Sequence, residues 1–252
     1  KLEAAITEKT KAIMPVGIFG QTADMTGINE IAARNGNLPV IEDAAQSFGA
    51  THHGAKSGGL STIGSTSFFP SKPLGCYGDG GALFTADDEL AERMRHIRVH
   101  GQTERHHHPF LGINGRLDTM QAAILLEKIE IFDDEIRKRQ EVAEAYGEGI
   151  RNPSVTLPMV GQGNTSVYAQ YTILSPDRDK LSDSLKQAGI PSVSYYAVPL
   201  HLQPVFADLG HEKGQFPVTE DVASRGLSLP MNPYLTADEI RSVCEALGET
   251  VS

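Results

Sequence analysis

Cysteine is scarce: Cys76 and Cys244 are the only two in 252 residues, and they lie far apart. That rules out a disulfide framework and any zinc or redox spacing built on cysteine, so a reducing, cytoplasmic setting is expected. No apolar run is long enough to cross a bilayer. Positive charge is also short. Lys and Arg number 22 against 32 Asp and Glu, for a formal charge of −10, and no basic stripe stands out. A nucleic-acid surface is therefore not expected, and an anionic small molecule would need a local basic pocket. The glycine run at 75–81 lacks the Gly-Lys-Ser/Thr ending of a nucleotide P-loop. Arg105-His106-His107-His108 and His52-His53 have no Cys or acidic partner at ligand spacing, so no metal site is expected.

What is present is enough apolar residue, 40%, for a large domain or a large and a small one. The pattern alternates strand and helix, as in an α/β protein with a parallel, doubly wound sheet. Helix is expected over 1–9, strand over 11–16, helix from an Asp24 cap to about 34, and strand over 38–42. Strands at 66–69 and 82–85 follow, then a helix capped by Asp87 or Asp88 and running to about 99. Asp118 caps one long helical pattern from 120 to about 146. Such a helix commonly bridges domains, so a large domain is expected over 1–135 and a small C-terminal α/β domain over 136–252. In the latter, strand is expected at 167–174 and 191–196, and helix at 176–188, 218–227 and 236–247.

Chemistry concentrates where strands end. Lys72 lies between Pro70 and Pro73, just past a buried strand. It reads either as a solvated loop lysine or as an amine kept for imine formation. Asp43 directly follows the 38–42 strand, at the carboxyl edge where open sheets bind ligands, although an Asp there is equally a turn cap. Gln46 lies on the next turn and can reach the same ligand. A carboxylate and a lysine at neighbouring strand ends are the pair that pyridoxal phosphate needs, one to keep its ring nitrogen protonated and one to carry its aldehyde. Ser67 is either a phosphate ligand or a backbone partner. Asn114 and Arg116 precede the long helix and are either structural or anion-binding. Tyr195, Tyr196 and His201 lie in a Pro-bounded loop and either face a cleft or simply pack.

Three stretches, Ile41-Glu42-Asp43-Ala44-Ala45-Gln46, Ser67-Phe68-Phe69-Pro70-Ser71-Lys72-Pro73-Leu74-Gly75 and Gly78-Asp79-Gly80-Gly81-Ala82, occur in that order. With His100-Gly101-Gln102, the run 112–118 and Ser228-Leu229-Pro230-Met231, they resemble the DegT/DnrJ/EryC1/StrS family of nucleotide-sugar aminotransferases over essentially the whole chain. The resemblance implies a fold-type I pyridoxal 5'-phosphate enzyme, with Lys72 as the cofactor lysine and proton shuttle. It further implies Asp43 on the pyridine nitrogen, Gln46 beside the phenolic oxygen and Ser67 on the phosphate. Asn114 would reach the phosphate of a partner subunit, making the protein a homodimer with shared active sites. A histidine in place of Lys72 would instead imply a dehydratase.

Residues 166–172 and 108–112 most resemble the branch acting on UDP-2-acetamido-2-deoxy-3-oxoglucuronic acid, with glutamate as amino donor, in bacterial surface polysaccharide and O-antigen synthesis. Arg116 and Tyr196 are then candidates for binding the sugar acid. The other readings are amination of a 4-keto sugar nucleotide and a truncated, non-catalytic remnant of the fold. Family members carry a further N-terminal segment that begins the large domain and supplies a phosphate loop and a ring-stacking aromatic. The chain opens as if in mid-helix, at Lys1-Leu2-Glu3-Ala4-Ala5-Ile6, so it is expected to be a piece of a longer protein.

Overall fold

The computed structural model describes residues 1–248. Helix α1 (Leu2–Ala5) is a single turn, shorter than the expected 1–9. Thr7 and Thr10 end it by bonding to each other: the Thr7 N–H donates to Thr10 Oγ1 and the Thr10 N–H to the Thr7 carbonyl, each at 3.0 Å. Such local bonds compete with helix. Residues 11–16 form no full strand, only parallel bridges from Ile13 to Val40 and from Val16 to Asp43. Pro15, between them, has no N–H to give a ladder. Helix α2 (Met25–Arg34) starts as expected, with Asp24 Oδ1 accepting the Gly27 N–H at 3.1 Å. Strand β1 (Ile41–Asp43) begins later than expected, beyond Pro39.

Strands β2 (Thr51–His52) and β3 (Ala55–Lys56) pair as a hairpin. Strand β4 (Ile63–Ser67) then runs parallel to β1, with Asp43 opposite Ser65. It stops at Ser67, so Phe68 and Phe69, expected in strand, belong to the loop. Strand β5 (Gly81–Phe84) returns antiparallel to β4. The sheet, ordered β1-β4-β5, is therefore mixed at this edge rather than parallel throughout. The connection from 68 to 80 is a proline- and glycine-broken loop, and a parallel return would need a crossover.

Burial alternates along β1 and β4. Asp43, Ser65 and Ser67 share one half-buried face, and Glu42, Gly64 and Thr66 share the buried one. Buried Glu42 is satisfied by the Ser57 hydroxyl at 2.8 Å and the Leu60 N–H at 3.2 Å. At Gly64 a Cβ would lie 1.9 Å from the Gly58 carbonyl oxygen. Backbone cannot swing aside as a side chain can. Gly64→Ala is therefore expected to cost about 3 kcal/mol or more. Thermal unfolding would read this as a fall of roughly 6 to 12 °C, and an unchanged melting temperature would refute the close approach.

Helix α3 (Asp88–Arg98) is capped by Asp87, whose Oδ1 accepts the Leu90 N–H at 3.0 Å. The single helix expected over 120–146 is in fact two, α4 (Thr119–Ile129) and α5 (Phe132–Gly149). Between them the Ile131 N–H bonds to the Lys128 carbonyl, a tightened turn of the 3₁₀ kind. Asp118 stands at the N-cap position without a side-chain cap bond.

The chain divides into two compact units, Lys1–Ile136 with Val160–Ala169, and Arg137–Met159 with the residues from Gln170 on. Residues 249–252, the end of the expected small domain, lie outside the described residues. In the first unit Phe68, Leu74 and Cys76 pack with Leu125 and Phe132, and Phe48 stacks on Phe84 and Phe132. The second unit holds β6 (Tyr171–Leu174), α6 (Arg178–Gln187), α7 (Pro217–Arg225), β7 (Gly226–Leu229) and α8 (Ala237–Leu247). Strands β6 and β7 pair antiparallel. The strand expected at 191–196 is only a bridge from Val193 to Ser228. The helix expected to 227 ends at Arg225, and the next four residues are a fully buried strand. Thr236 and Glu239 form a capping box for α8. The Tyr146 hydroxyl donates to the Pro230 carbonyl at 2.8 Å, and burial pushes its pKa well up. Among the described residues no helix is long and apolar enough to cross a membrane.

Candidate active site

Asp43 ends β1 and Ser67 ends the neighbouring parallel strand β4. Both therefore lie at the carboxyl edge of the parallel pair, on one face, one strand apart and two residues along. From strand spacings that is roughly 8 Å between backbone positions. One Asp43 oxygen is occupied, since Oδ1 accepts the Ala45 N–H at 2.9 Å. Its other oxygen has no hydrogen bond among the described residues. The Ser67 hydroxyl accepts from the Phe69 N–H at 3.2 Å, which leaves its proton free to donate.

Lys72 sits on the loop that leaves β4. Its N–H donates to the Phe69 carbonyl at 2.9 Å. The side chain is half-buried, and its amine has no hydrogen bond or ion pair among the described residues. The loop is closed at its base by Cys76, whose N–H and Sγ both approach the Phe68 carbonyl, at 2.8 and 3.0 Å. Gly75 is required there: a Cβ would stand 2.7 Å from the Phe69 oxygen and 2.8 Å from the Pro70 oxygen.

Gln46 is buried in the turn after Asp43, and its Oε1 accepts the Phe19 N–H at 2.7 Å. It thus ties the loop at 17–20 to the same sheet edge. Asn114 and Arg116 lie elsewhere in the first unit, on a ribbon held against the end of α3. There Ile113 N–H bonds to the Ile97 carbonyl and Gly115 N–H to the Arg98 carbonyl. Both side chains are exposed. Arg116 Nη1 lies 3.2 Å from His100 Nε2. Tyr196, in the second unit, is exposed and takes a left-handed backbone, φ 58°, which a non-glycine residue adopts at a cost.

Among the histidines that invite a metal reading, His107 Nδ1 meets Thr103 Oγ1 and His108 Nδ1 the His100 carbonyl, each at 3.0 Å. Buried His52 stands between Thr26 Oγ1 at 2.8 Å and Asn164 Oδ1 at 2.6 Å. Among the described residues no three His, Cys, Asp or Glu side chains form a group that could hold a metal. Sequence reasoning missed Gln121 and Lys128, which contact the Lys72 loop from α4. Their spacing with Leu125 along one helix face was the available signal.

A lysine, a carboxylate and a hydroxyl with free valences, on two strand ends and the loop that follows, are groups capable of covalent and proton-transfer chemistry. In agreement, residues 1–248 match the DegT/DnrJ/EryC1/StrS aminotransferase family, and the chain belongs to it. Its relatives include sugar aminotransferases, which are enzymes.

The chain is 54% identical over 246 residues to the UDP-2-acetamido-2-deoxy-3-oxo-D-glucuronate aminotransferase of Pseudomonas aeruginosa, covering 98% of this chain and 67% of that protein. It is 49% identical to a pleiotropic regulatory protein of Geobacillus stearothermophilus, covering 99% of this chain and 68% of the relative. A crystal structure of S. venezuelae DesV in complex with a ketimine intermediate superposes with a TM-score of 0.94 at 38% identity, covering 99% and 68%. A DegT DnrJ EryC1 StrS aminotransferase from Brucella abortus gives 0.90 at 45%, covering 94% of this chain and 63% of that one. The chain thus spans about two thirds of the length of these relatives.

Proposed function

We propose that this chain carries the aminating site of a pyridoxal 5'-phosphate-dependent enzyme. It would transfer an amino group from glutamate to the keto group of a UDP-linked sugar acid, UDP-2-acetamido-2-deoxy-3-oxo-glucuronate. The observation that carries the reading is a Lys72 amine without a partner among the described residues, on the loop that leaves β4, together with the half-satisfied carboxylate of Asp43 and the open hydroxyl of Ser67 at the ends of β1 and β4. These residues fit the cofactor: each has the donor, acceptor or nucleophile it would need, uncommitted to the fold. When bound, pyridoxal phosphate supplies the electron sink for the carbon that gains or loses the amine.

The chain's own residues do the rest. Asp43 Oδ2 would accept a hydrogen bond from the protonated ring nitrogen and, by its charge, keep that nitrogen protonated. Ser67 would donate to the phosphate. Gln46, which holds the 17–20 loop, would stand beside the phenolic oxygen. Lys72 Nζ would be the nucleophile and then the proton carrier. Asn114, exposed on its ribbon, serves the phosphate of a second copy in a homodimer with shared sites. Arg116, bonded among the described residues to His100 through Nη1 alone, keeps a donor edge for a sugar carboxylate. Tyr196, in the small domain of 136–252, is the further candidate for binding the sugar acid. The product would serve surface polysaccharide and O-antigen synthesis in the cytoplasm.

The substrate assignment is supported by the identity to the Pseudomonas enzyme and by the basic side chain that a uronic acid requires. It is tested by assaying the full-length protein with glutamate against the 3-oxo-uronate and against a 4-keto sugar nucleotide lacking the carboxylate. The expected kcat/KM ratio favours the uronate by about 10²-fold or more. Equal rates, or preference for the 4-keto sugar, would move the reaction to the other position. A protein that takes up no pyridoxal phosphate and aminates neither sugar would be the contrasting outcome, a truncated, non-catalytic remnant of the fold.

A further inference from the structure

The loop that carries Lys72 is gripped from one side by α4. Gln121 Oε1 accepts the Tyr77 N–H at 2.8 Å. Lys128 Nζ donates to the Gly75 carbonyl at 2.6 Å. Leu125 is buried with Leu74 and Cys76. Positions 121, 125 and 128 fall on one helix face, so α4 offers a polar, an apolar and a polar contact in succession to residues 74–77.

Gly75 lies close to the Phe69 and Pro70 carbonyls, where a Cβ on it would stand 2.7 and 2.8 Å from their oxygens. The Phe69 carbonyl in turn accepts the Lys72 N–H. The Lys128 ammonium is half-buried, and among the described residues no carboxylate lies within ion-pair reach of it. Its one hydrogen bond among the described residues is the charge-assisted bond to the loop, the stronger kind. Neither α4 residue touches the atoms that would react.

We propose that Lys128 and Gln121 are positioning residues that fix the turn at 69–75 and so aim Lys72 Nζ. This rests on the reaction proposed for Lys72. In the full-length protein, Lys128→Met keeps the stem and deletes the donor, and Lys128→Arg returns one. Amide exchange without cofactor reads the loop directly. Lys128→Met is expected to speed exchange at residues 72–78 by about tenfold and leave amides of β4 and α8 at wild-type rates, with Lys128→Arg restoring protection.

With pyridoxal phosphate added, the pH midpoint of the lysine-bound chromophore should move. In the same variant kcat should fall about 10- to 100-fold while KM for the amino donor stays within about twofold. Gln121→Leu, which removes the acceptor at Tyr77, should give the same pattern and serves if Lys128→Met fails to fold. Wild-type loop exchange, midpoint and kcat in these variants would overturn the inference. So would faster exchange spread evenly over the chain with an unmoved midpoint. A wild-type protein that binds no pyridoxal phosphate would sink the functional reading instead, and the exchange contrast would still decide whether α4 grips the loop.

Discussion

Lys72→Ala is expected to abolish amination, with a fall in turnover of at least about 10⁴-fold, because one side chain supplies both the nucleophile and the proton shuttle. The fold should not notice. The Lys72 amine has no partner among the described residues, and the bond from its N–H to the Phe69 carbonyl survives in alanine. Stability should therefore stay within about 0.5 kcal/mol of wild type. Lys72→Arg should be as inactive as alanine, since a guanidinium stays protonated and cannot act as the neutral amine. Borohydride reduction followed by peptide mapping provides the second readout: the cofactor becomes fixed at residue 72 in wild type and nowhere in the variants. Near-normal amination by Lys72→Ala would remove the mechanism altogether.

Asp43→Asn is expected to have the next largest effect. Asparagine retains an oxygen to accept the Ala45 N–H, so the turn after β1 should persist. What is lost is the negative charge facing the ring nitrogen. An adjacent opposite charge shifts a pKa by about 1–3 units, at roughly 1.4 kcal/mol per unit. Turnover should thus fall by about 10- to 1000-fold with unfolding midpoints unchanged. Asp43→Glu should recover part of the loss if charge is the cause, because it restores the carboxylate at a displaced position. A full-activity Asp43→Asn protein would reduce Asp43 to the turn cap that its sequence position equally allows.

Much of the fold and the site is legible in the chain. Asp24, Asp87 and Thr236 mark helix starts because a side-chain oxygen beside a helical pattern meets orphan N–H groups with little help from tertiary structure. One family motif is legible for a similar reason: Gly75 stands where a Cβ would strike backbone, so the loop that bears Lys72 tolerates few sequences. Strand direction was not legible. Nothing in residues 81–84 states that they return antiparallel to β4; that follows from a connection without a helix, in which chain reversal is the short route. Nor was the break between α4 and α5, since the apolar spacing runs through it, nor β7, whose four buried residues look like the tail of the helix before it.

The sequence by itself determined which chemistry is available: a lysine between prolines, an acid after a strand, and too few cysteines and basic residues for other readings. It did so because backbone constraints at Pro and Gly and hydrogen bonds at helix caps act over a few residues. Only the tertiary structure decided that Asp43 and Ser67 share a face, since that needs the register of β1 against β4. It likewise decided that Gln46 is bound to the loop before it, and that Lys128, distant in sequence, holds the turn behind Lys72. Those contacts join segments whose separation along the chain carries no local signal, and they form only once the core under the loop is packed.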